Sequence, residues 1–214
     1  MVRLKIFLLF SLFLFTWAPN ALAQKSIKLG IRGGVNFASG SITNVPAGYD
    51  VSSRTVFGLG GVVEFGLSDQ IYLQAEPRYI MKGGNVKIGS TSSSIAKFTY
   101  AELPFSVKVQ FGSNILKPYI FAGPAVSFLL KAESDFEYQG RTNTFNIKDE
   151  TKSTEFSVDI GAGAAYDIAA STSLTADVRY TFGLTQIARP KVPEDKSTWN
   201  SRDVKIFLGI LFGL

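Results

Sequence analysis

The chain has 214 residues, with 22 lysines and arginines against 17 acidic residues and a formal net charge of +5. Histidine and cysteine are absent from the sequence, which excludes thiol chemistry and disulfides and removes the commonest general base and zinc ligand. The positive excess is too small to indicate a nucleic-acid partner.

Residues 1–23 have the pattern of a cleaved secretory signal. Two basic residues precede an apolar run over 6–17, which is too short to span a bilayer, and a small-residue site ends at Ala23. We expect cleavage there, which leaves residues 24–214 as one domain and lowers the net charge from +5 to +3. An uncleaved anchor helix is the alternative, and the shortness of the apolar run disfavours it.

The rest of the chain alternates apolar and polar residues along eight segments. From Leu174 to Leu184 every even position is apolar, and the odd positions hold polar residues or glycine. A period of two residues predicts a strand with two unlike faces. The predicted strands are 27–37, 54–67, 71–82, 102–111, 117–130, 155–168, 173–187 and 204–214.

Two features complicate this pattern. Segment 117–130 is apolar on both faces, so its facing stays unassigned. Pro77, Pro104 and Pro124 lie inside predicted strands, where a proline removes a hydrogen-bond donor from the ladder. We expect bulges or bends at these three prolines.

The connections between the predicted strands alternate in length, which is typical of outer-membrane barrels. An even number of strands also closes the sheet without an exposed edge. The predicted fold is therefore all-β: an eight-stranded antiparallel up-and-down transmembrane β-barrel in the cell outer membrane, surrounded by lipid. The short connections are 68–70, 112–116 and 169–172, and the long polar ones are 38–53, 83–96, 132–153 and 186–202.

Periodicity alone does not decide which face of the sheet points outward. A soluble lipocalin also has eight strands, but its apolar face surrounds a ligand inside the barrel. Here the polar face carries charges of both signs that could pair across a narrow interior, and aromatic residues near the strand ends resemble interfacial girdles. We predict lipid on the apolar face and an ionic network in the lumen. The predicted network is Glu64, Glu76, Arg78, Glu102, Lys108, Asp159, Asp177 and Arg179.

A catalytic interpretation of these residues has little support in the sequence. Without histidine, a serine nucleophile lacks its usual general base. Glu64, Glu76 and Glu102 could supply an acid and a base beside Arg78 and Lys108, but structural ion pairing explains the same residues. We predict that the protein is not an enzyme and carries neither a cofactor nor a metal.

Three segments resemble one known family. Residues 98–112 contain Tyr-x-Glu-x-Pro, residues 116–130 contain Lys-Pro-Tyr followed by Gly-Pro, and residues 174–187 contain Arg-Tyr-x-x-Gly-Leu. Over about residues 25–214 the chain resembles the PorT-like outer-membrane β-barrel domain family of Gram-negative bacteria. The resemblance implies a barrel in the outer membrane. One named member is linked to protein secretion, but the matching residues build the barrel and do not transfer that role. They are Tyr100, Glu102, Pro104, Lys117, Pro118, Tyr119, Gly123, Pro124, Arg179, Tyr180, Gly183 and Leu184.

The end of the chain resembles the signal that barrel insertion machinery reads in outer-membrane proteins. Gly209, Phe212 and Leu214 match its glycine and its two alternate bulky positions. Phe207 stands where a polar residue is usual, and Leu214 replaces the common terminal aromatic residue. We expect the insertion machinery to be a partner of this segment.

The long polar loops favour a structural or partner-binding role, with a protein partner docking on the loops. Two alternatives stay open: a narrow channel for small solutes, and a soluble lipocalin-like ligand binder. The interior of an eight-stranded barrel is small enough for side chains to fill, which counts against the channel.

Overall fold

The computed structural model describes residues 26–43, 49–88, 92–112, 114–138, 140–189 and 198–214. The predicted signal peptide, 1–23, lies outside these residues. Strands make up nearly all of the described part, and none of its helices is long and apolar enough to cross a membrane. The strands are β1 (Ile27–Ala38), β2 (Gly40–Thr43), β3 (Tyr49–Ser52), β4 (Arg54–Gly66), β5 (Ile71–Ala75), β6 (Arg78–Ile88), β7 (Ser92–Gln110), β8 (Leu116–Tyr138), β9 (Arg141–Asn146), β10 (Thr154–Ala169), β11 (Thr172–Gly183) and β12 (Thr198–Gly213).

Antiparallel pairing closes these strands into a ring. β1 pairs with β4 and β12; β4 pairs with β5 and β6, which are successive parts of one crossing strand. The ring continues through β7, β8, β10 and β11 back to β12. Within the described residues the barrel therefore has eight crossing strands, which confirms the predicted fold.

The three prolines interrupt pairing without shifting it. β4 keeps one register with β5 and β6 on either side of Pro77, and β7 and β8 keep one register through Pro104 and Pro124. The bulges in the expectation of bulges or bends are therefore wrong, and the bends stay a prediction. A proline drops one N–H donor, but its fixed φ of about −65° still lies within the broad β region, so the ladder can resume in the same register.

The outer surface is apolar and the interior is polar, as predicted. Ile31 and Leu208 are 62% and 64% exposed on the outside, whereas Glu64 and Lys205 are fully buried inside. A soluble lipocalin has the opposite arrangement. The lipocalin-like alternative is therefore wrong, because the exposed apolar surface needs lipid around it.

A β-bulge sets the facing of β8, which the sequence left unassigned. Thr99 pairs with Lys131 but Tyr100 pairs with Leu129, so Leu130 is an extra residue. Before the bulge the odd residues of β8 face the lumen, including the buried Tyr119. At the bulge Leu130 and Lys131 both point outward, and beyond it the even residues take over the lumen face.

Part of the predicted loop sequence is paired strand instead. β7 begins at Ser92, β8 continues to Tyr138, and β9 adds a further hairpin strand over Arg141–Asn146. β2 and β3 lie within the predicted connection 38–53 and pair with β12 and β6. The wall of the barrel therefore continues past the apolar band on its long-loop side. We call this part, formed by β3, β6, β7, β8 and β9, the projecting sheet.

Candidate functional site

The lumen holds a layer of ionised side chains buried from solvent. Among the described residues six cations and seven carboxylates are buried there, so their charges nearly balance. Each comes from an inward position of a strand, because alternate side chains of a strand face opposite sides. The cations are Arg32, Arg78, Lys82, Lys108, Arg179 and Lys205, and the carboxylates are Glu64, Glu76, Glu102, Glu155, Asp159, Asp177 and Asp203.

Glu76 is the centre of one half of this network. Its carboxylate accepts hydrogen bonds from Arg32 at 2.6 Å, from Arg179 at 2.7 Å and from Arg78 at 3.2 Å. Asp177 joins the same group, 2.8 Å from Nε of Arg179 and 3.2 Å from Nη1 of Arg32. Charged hydrogen bonds of this kind are the strong ones, and they tie β1, β6 and β11 together across the lumen.

Glu102 is the centre of the other half. It accepts from Nε of Arg78 at 2.8 Å, and its carboxylate lies 2.8 Å from Nζ of Lys82 and 3.2 Å from Nζ of Lys205. Arg78 also donates to Asp159 at 2.8 Å. Arg78 therefore contacts both halves and joins them into one network.

The remaining pairs lie nearer the two ends. Lys108 donates to Glu64 at 2.8 Å on the short-turn side, and its ammonium lies 4.3 Å from the ring centroid of Tyr119. Lys82 donates to Glu155 at 3.0 Å on the long-loop side. All eight predicted network residues thus contact at least one ionised partner in the lumen.

Five members of this layer were not among the residues predicted from the sequence. They occupy inward positions of their strands, and that alternation was the signal that could have found them. The Oδ1 of Asp203 accepts from the backbone N–H of Ser39 at 3.2 Å, and its Oδ2, like one oxygen each of Glu64 and Glu155, is buried without a hydrogen-bond partner among the described residues. The missed members are Arg32, Lys82, Glu155, Asp203 and Lys205.

Glycines on neighbouring strands make room for the long charged side chains. Gly60 and Gly209 lie on either side of Arg32 in the sheet, and Gly161 lies opposite Arg179. A Cβ on Gly209 would lie 2.3 Å from Cγ of Arg32, closer than two carbon atoms can pack. The Arg32 stem thus depends on the missing side chain of a paired residue, whereas a Cβ on Gly161 would meet the Phe121 ring at 2.4 Å.

An apolar layer covers the charged layer on the long-loop side. There Ile187 is 3% exposed in a cluster with Phe98 and Trp199, whose rings lie 5.6 Å apart. Tyr119 and Phe121, whose ring centroids are 6.1 Å apart, lie within the charged layer against Lys108 and Arg179. Side chains therefore fill the lumen at the ionic network and on its long-loop side.

This arrangement neutralises charge and braces the wall of the barrel. Glu76 and Glu102, the two best-connected carboxylates, each contact three cations. The described residues contain no group of three acidic, cysteine or histidine side chains suited to a metal ion.

The residues of the predicted insertion signal lie at the end of β12. Phe212 and Leu214 point outward, 46% and 81% exposed, at the short-turn side of the barrel. Gly209 faces the lumen beside Arg32. The glycine and the two bulky residues of the pattern therefore face opposite sides of the wall.

Solved structures of outer-membrane barrels are similar to this chain in fold. Neisserial surface protein A is 14% identical, with a TM-score of 0.51, over 86% of this chain and 96% of that one. The N-terminal β-barrel domain of Pseudomonas aeruginosa OprF is 16% identical, with a TM-score of 0.46, over 89% and 100%. OprG of the same organism is 14% identical, with a TM-score of 0.48, over 88% and 97%.

Sequence comparison identifies the family. No curated protein matches the chain. A family model described as outer membrane protein beta-barrel domain matches residues 22–189. This range is most of the chain and includes every crossing strand except the last one, β12. With the closed ring of strands and the apolar outer surface, this match shows that the chain belongs to the outer membrane protein beta-barrel domain family and lies in the outer membrane.

Proposed function

We propose that this protein is a structural or partner-binding barrel that works through its projecting sheet and loops, without catalysis. The observation that carries the proposal is the filling of the lumen. Arg179, Lys82, Lys108, Lys205, Tyr100 and Tyr119 are among the largest fully buried side chains. A lumen filled in this way leaves the surface outside the membrane as the part available to a partner.

The length of the strands supports this assignment. A tilted strand crosses the bilayer in about 9–11 residues, whereas β8 has 23 residues and β7 has 19. The outward face of β8 changes from apolar to charged after Leu130, at Lys131. The chain thus builds ordered sheet beyond the apolar band, and we infer that this sheet is a binding surface.

The finer assignment is to the PorT-like group, with a role in secretion. The three segments that resemble this group lie in β7, β8 and β11 and support the group, while the role in secretion is taken from the one named member and not from these residues. Under this proposal the partner is another envelope protein. We also propose that Gly209, Phe212 and Leu214 are read by the insertion machinery during assembly, and that residues 1–23 direct export.

The test is gentle detergent extraction of native outer membranes, followed by sizing and identification of co-migrating proteins. We expect the wild-type protein in a reproducible complex. A variant in which a two-residue turn replaces 133–146 should still assemble as a barrel but leave the complex. A wild-type protein that migrates alone under every mild extraction condition would contradict the proposal.

A further inference from the structure

The projecting sheet ends in an open edge at β9. Within the described part of the chain β9 pairs with β8 alone and is the last strand of the sheet. All six residues of β9, Arg141–Asn146, are exposed. An unpaired strand edge is a template for another strand, and proteins usually protect it with proline, lysine or a bulge; β9 contains neither proline nor lysine.

The hydrogen-bond pattern shows which backbone groups are free. The N–H of Ile147 donates to the carbonyl of Ala132 at 3.1 Å, in the same register as the β8–β9 pairs. In an antiparallel ladder residues alternate between bonding to the partner and pointing away from it. Thr142, Thr144 and Asn146 therefore direct their N–H and C=O groups to the open side.

The two faces of the sheet beside this edge differ in chemistry. Phe145 lies opposite Ser134 on the lumen side, together with Phe136, and Phe145 is 54% exposed. Arg141 is exposed on the same side, opposite Tyr138. The other face is polar, with the Thr144 hydroxyl donating to Asp135 at 2.9 Å.

We propose that the edge of β9 binds an extended segment of a partner protein, which adds to the projecting sheet as a further antiparallel strand. Main-chain hydrogen bonds supply affinity in this mode, and alternate side chains supply specificity. The segment carries an apolar residue beside Phe145 and an acidic residue beside Arg141, with polar residues on its opposite face. This inference rests on the proposed function and specifies how the partner is recognised.

The test uses the full-length protein folded in detergent micelles and a labelled synthetic peptide. The peptide has valine, valine and glutamate at alternating positions, with threonine between and around them, and a scrambled peptide is the control. We expect saturable binding by fluorescence anisotropy. Thr144→Pro removes an edge N–H that the β8–β9 ladder does not use and should weaken binding at least tenfold, whereas Thr144→Ala should not.

Phe145→Ala gives a second reading that leaves the backbone donors in place, and it should also weaken binding. The heat-dependent gel shift of each variant checks that the barrel is folded. No saturable binding to the wild type overturns the inference, and so does binding to Thr144→Pro and Phe145→Ala that is as tight as binding to the wild type. A concentration-dependent dimer that Thr144→Pro abolishes also overturns it, because a second copy would then cover the edge.

Failure of the edge-strand inference can be distinguished from failure of the proposed partner-binding function. A native complex that survives Thr144→Pro but is lost with 133–146 would retain the partner-binding role and remove only the edge-strand mode. A protein that is alone in native extracts would remove the role itself.

Discussion

Gly209 lies directly opposite Arg32 in the β1–β12 ladder, and the space of its missing side chain is taken by the Arg32 stem. Arg32 in turn contacts both Glu76 and Asp177. The absence of a side chain at Gly209 therefore allows Arg32, on the neighbouring strand, to form ion pairs with Glu76 and Asp177 across the lumen.

Gly209→Val should destabilise the barrel. Its Cβ would lie 2.3 Å from Cγ of Arg32 and 2.8 Å from the carbonyl oxygen of Ile31, and overpacking of this kind costs about 1–3 kcal/mol. The measurement is urea unfolding in micelles. Gly213→Ala is the matched control in the same strand, because the nearest atom to its Cβ would be 3.6 Å away. Equal stability of the two variants would show that Arg32 simply moves aside.

Glu76→Gln should be more costly than its small change in size suggests. The substitution leaves three arginines facing one neutral amide, and removing one partner of a buried ion pair costs about 3–5 kcal/mol. Urea unfolding again gives the free-energy difference. Glu137→Gln, on the exposed part of β8, should have no measurable effect. A stable Glu76→Gln barrel would mean that water or a neighbouring carboxylate compensates the arginines.

Val178→Arg tests the facing of the wall. Val178 is 52% exposed on the outer surface, between Ala162 and Ile206 in the middle of the sheet. A charge at the bilayer midplane costs about 2–4 kcal/mol, so the fraction that folds into lipid vesicles should fall, while Val178→Leu should fold normally. Normal insertion of Val178→Arg would place this surface away from lipid.

Thr181→Arg should also destabilise the barrel, although Thr181 faces the lumen and a charge there would not meet lipid. Thr181 is fully buried and donates to Asp159 at 2.6 Å, so an arginine there overpacks a filled interior. We expect it to fail in the same vesicle-folding assay, for a reason unrelated to lipid. Thr181→Ser, which keeps the hydroxyl, should fold.

The ionic network and the apolar layer on its long-loop side together fill the lumen, so we predict a barrel that does not conduct ions. The wild type should show no conductance in planar bilayers at any holding voltage. Trp199→Ala opens only the apolar layer on the long-loop side, so it should stay silent, because the ionic network below it remains. Steady single-channel currents from the wild type would revive the narrow-channel alternative.

The strand pattern was readable from the sequence wherever one face meets lipid and the other meets the lumen. There the environments differ sharply, and alternation such as that of Leu174 to Leu184 follows directly. Residues 92–95, beyond the apolar band, are partly exposed on both faces of the strand, so they lack that contrast and fall within the predicted connection 83–96. Segment 117–130 was ambiguous for another reason: Tyr119 and Phe121 face inward and lie against Lys108 and Arg179 as aromatic partners of cations.

The membership of the charged layer was predictable, but its pairing was not. Inward positions follow from alternation, whereas the contact between Arg179 and Glu76 joins residues 103 positions apart on strands that are not neighbours. Such contacts depend on the diameter of the ring and on the glycines opposite the arginines. Neither quantity is set by any one segment of sequence.

The bulge in β8 has a consequence for how the protein sits in its membrane. By turning Lys131 outward directly after Leu130, it puts an ammonium group, with a side chain that is 64% exposed, at the upper border of the apolar surface. Sinking the barrel further would pull that charge into hydrocarbon, and raising it would expose Leu130 to water. The extra residue in the bulge thus favours one depth of the barrel in the membrane and with it one height of the projecting sheet above the lipid.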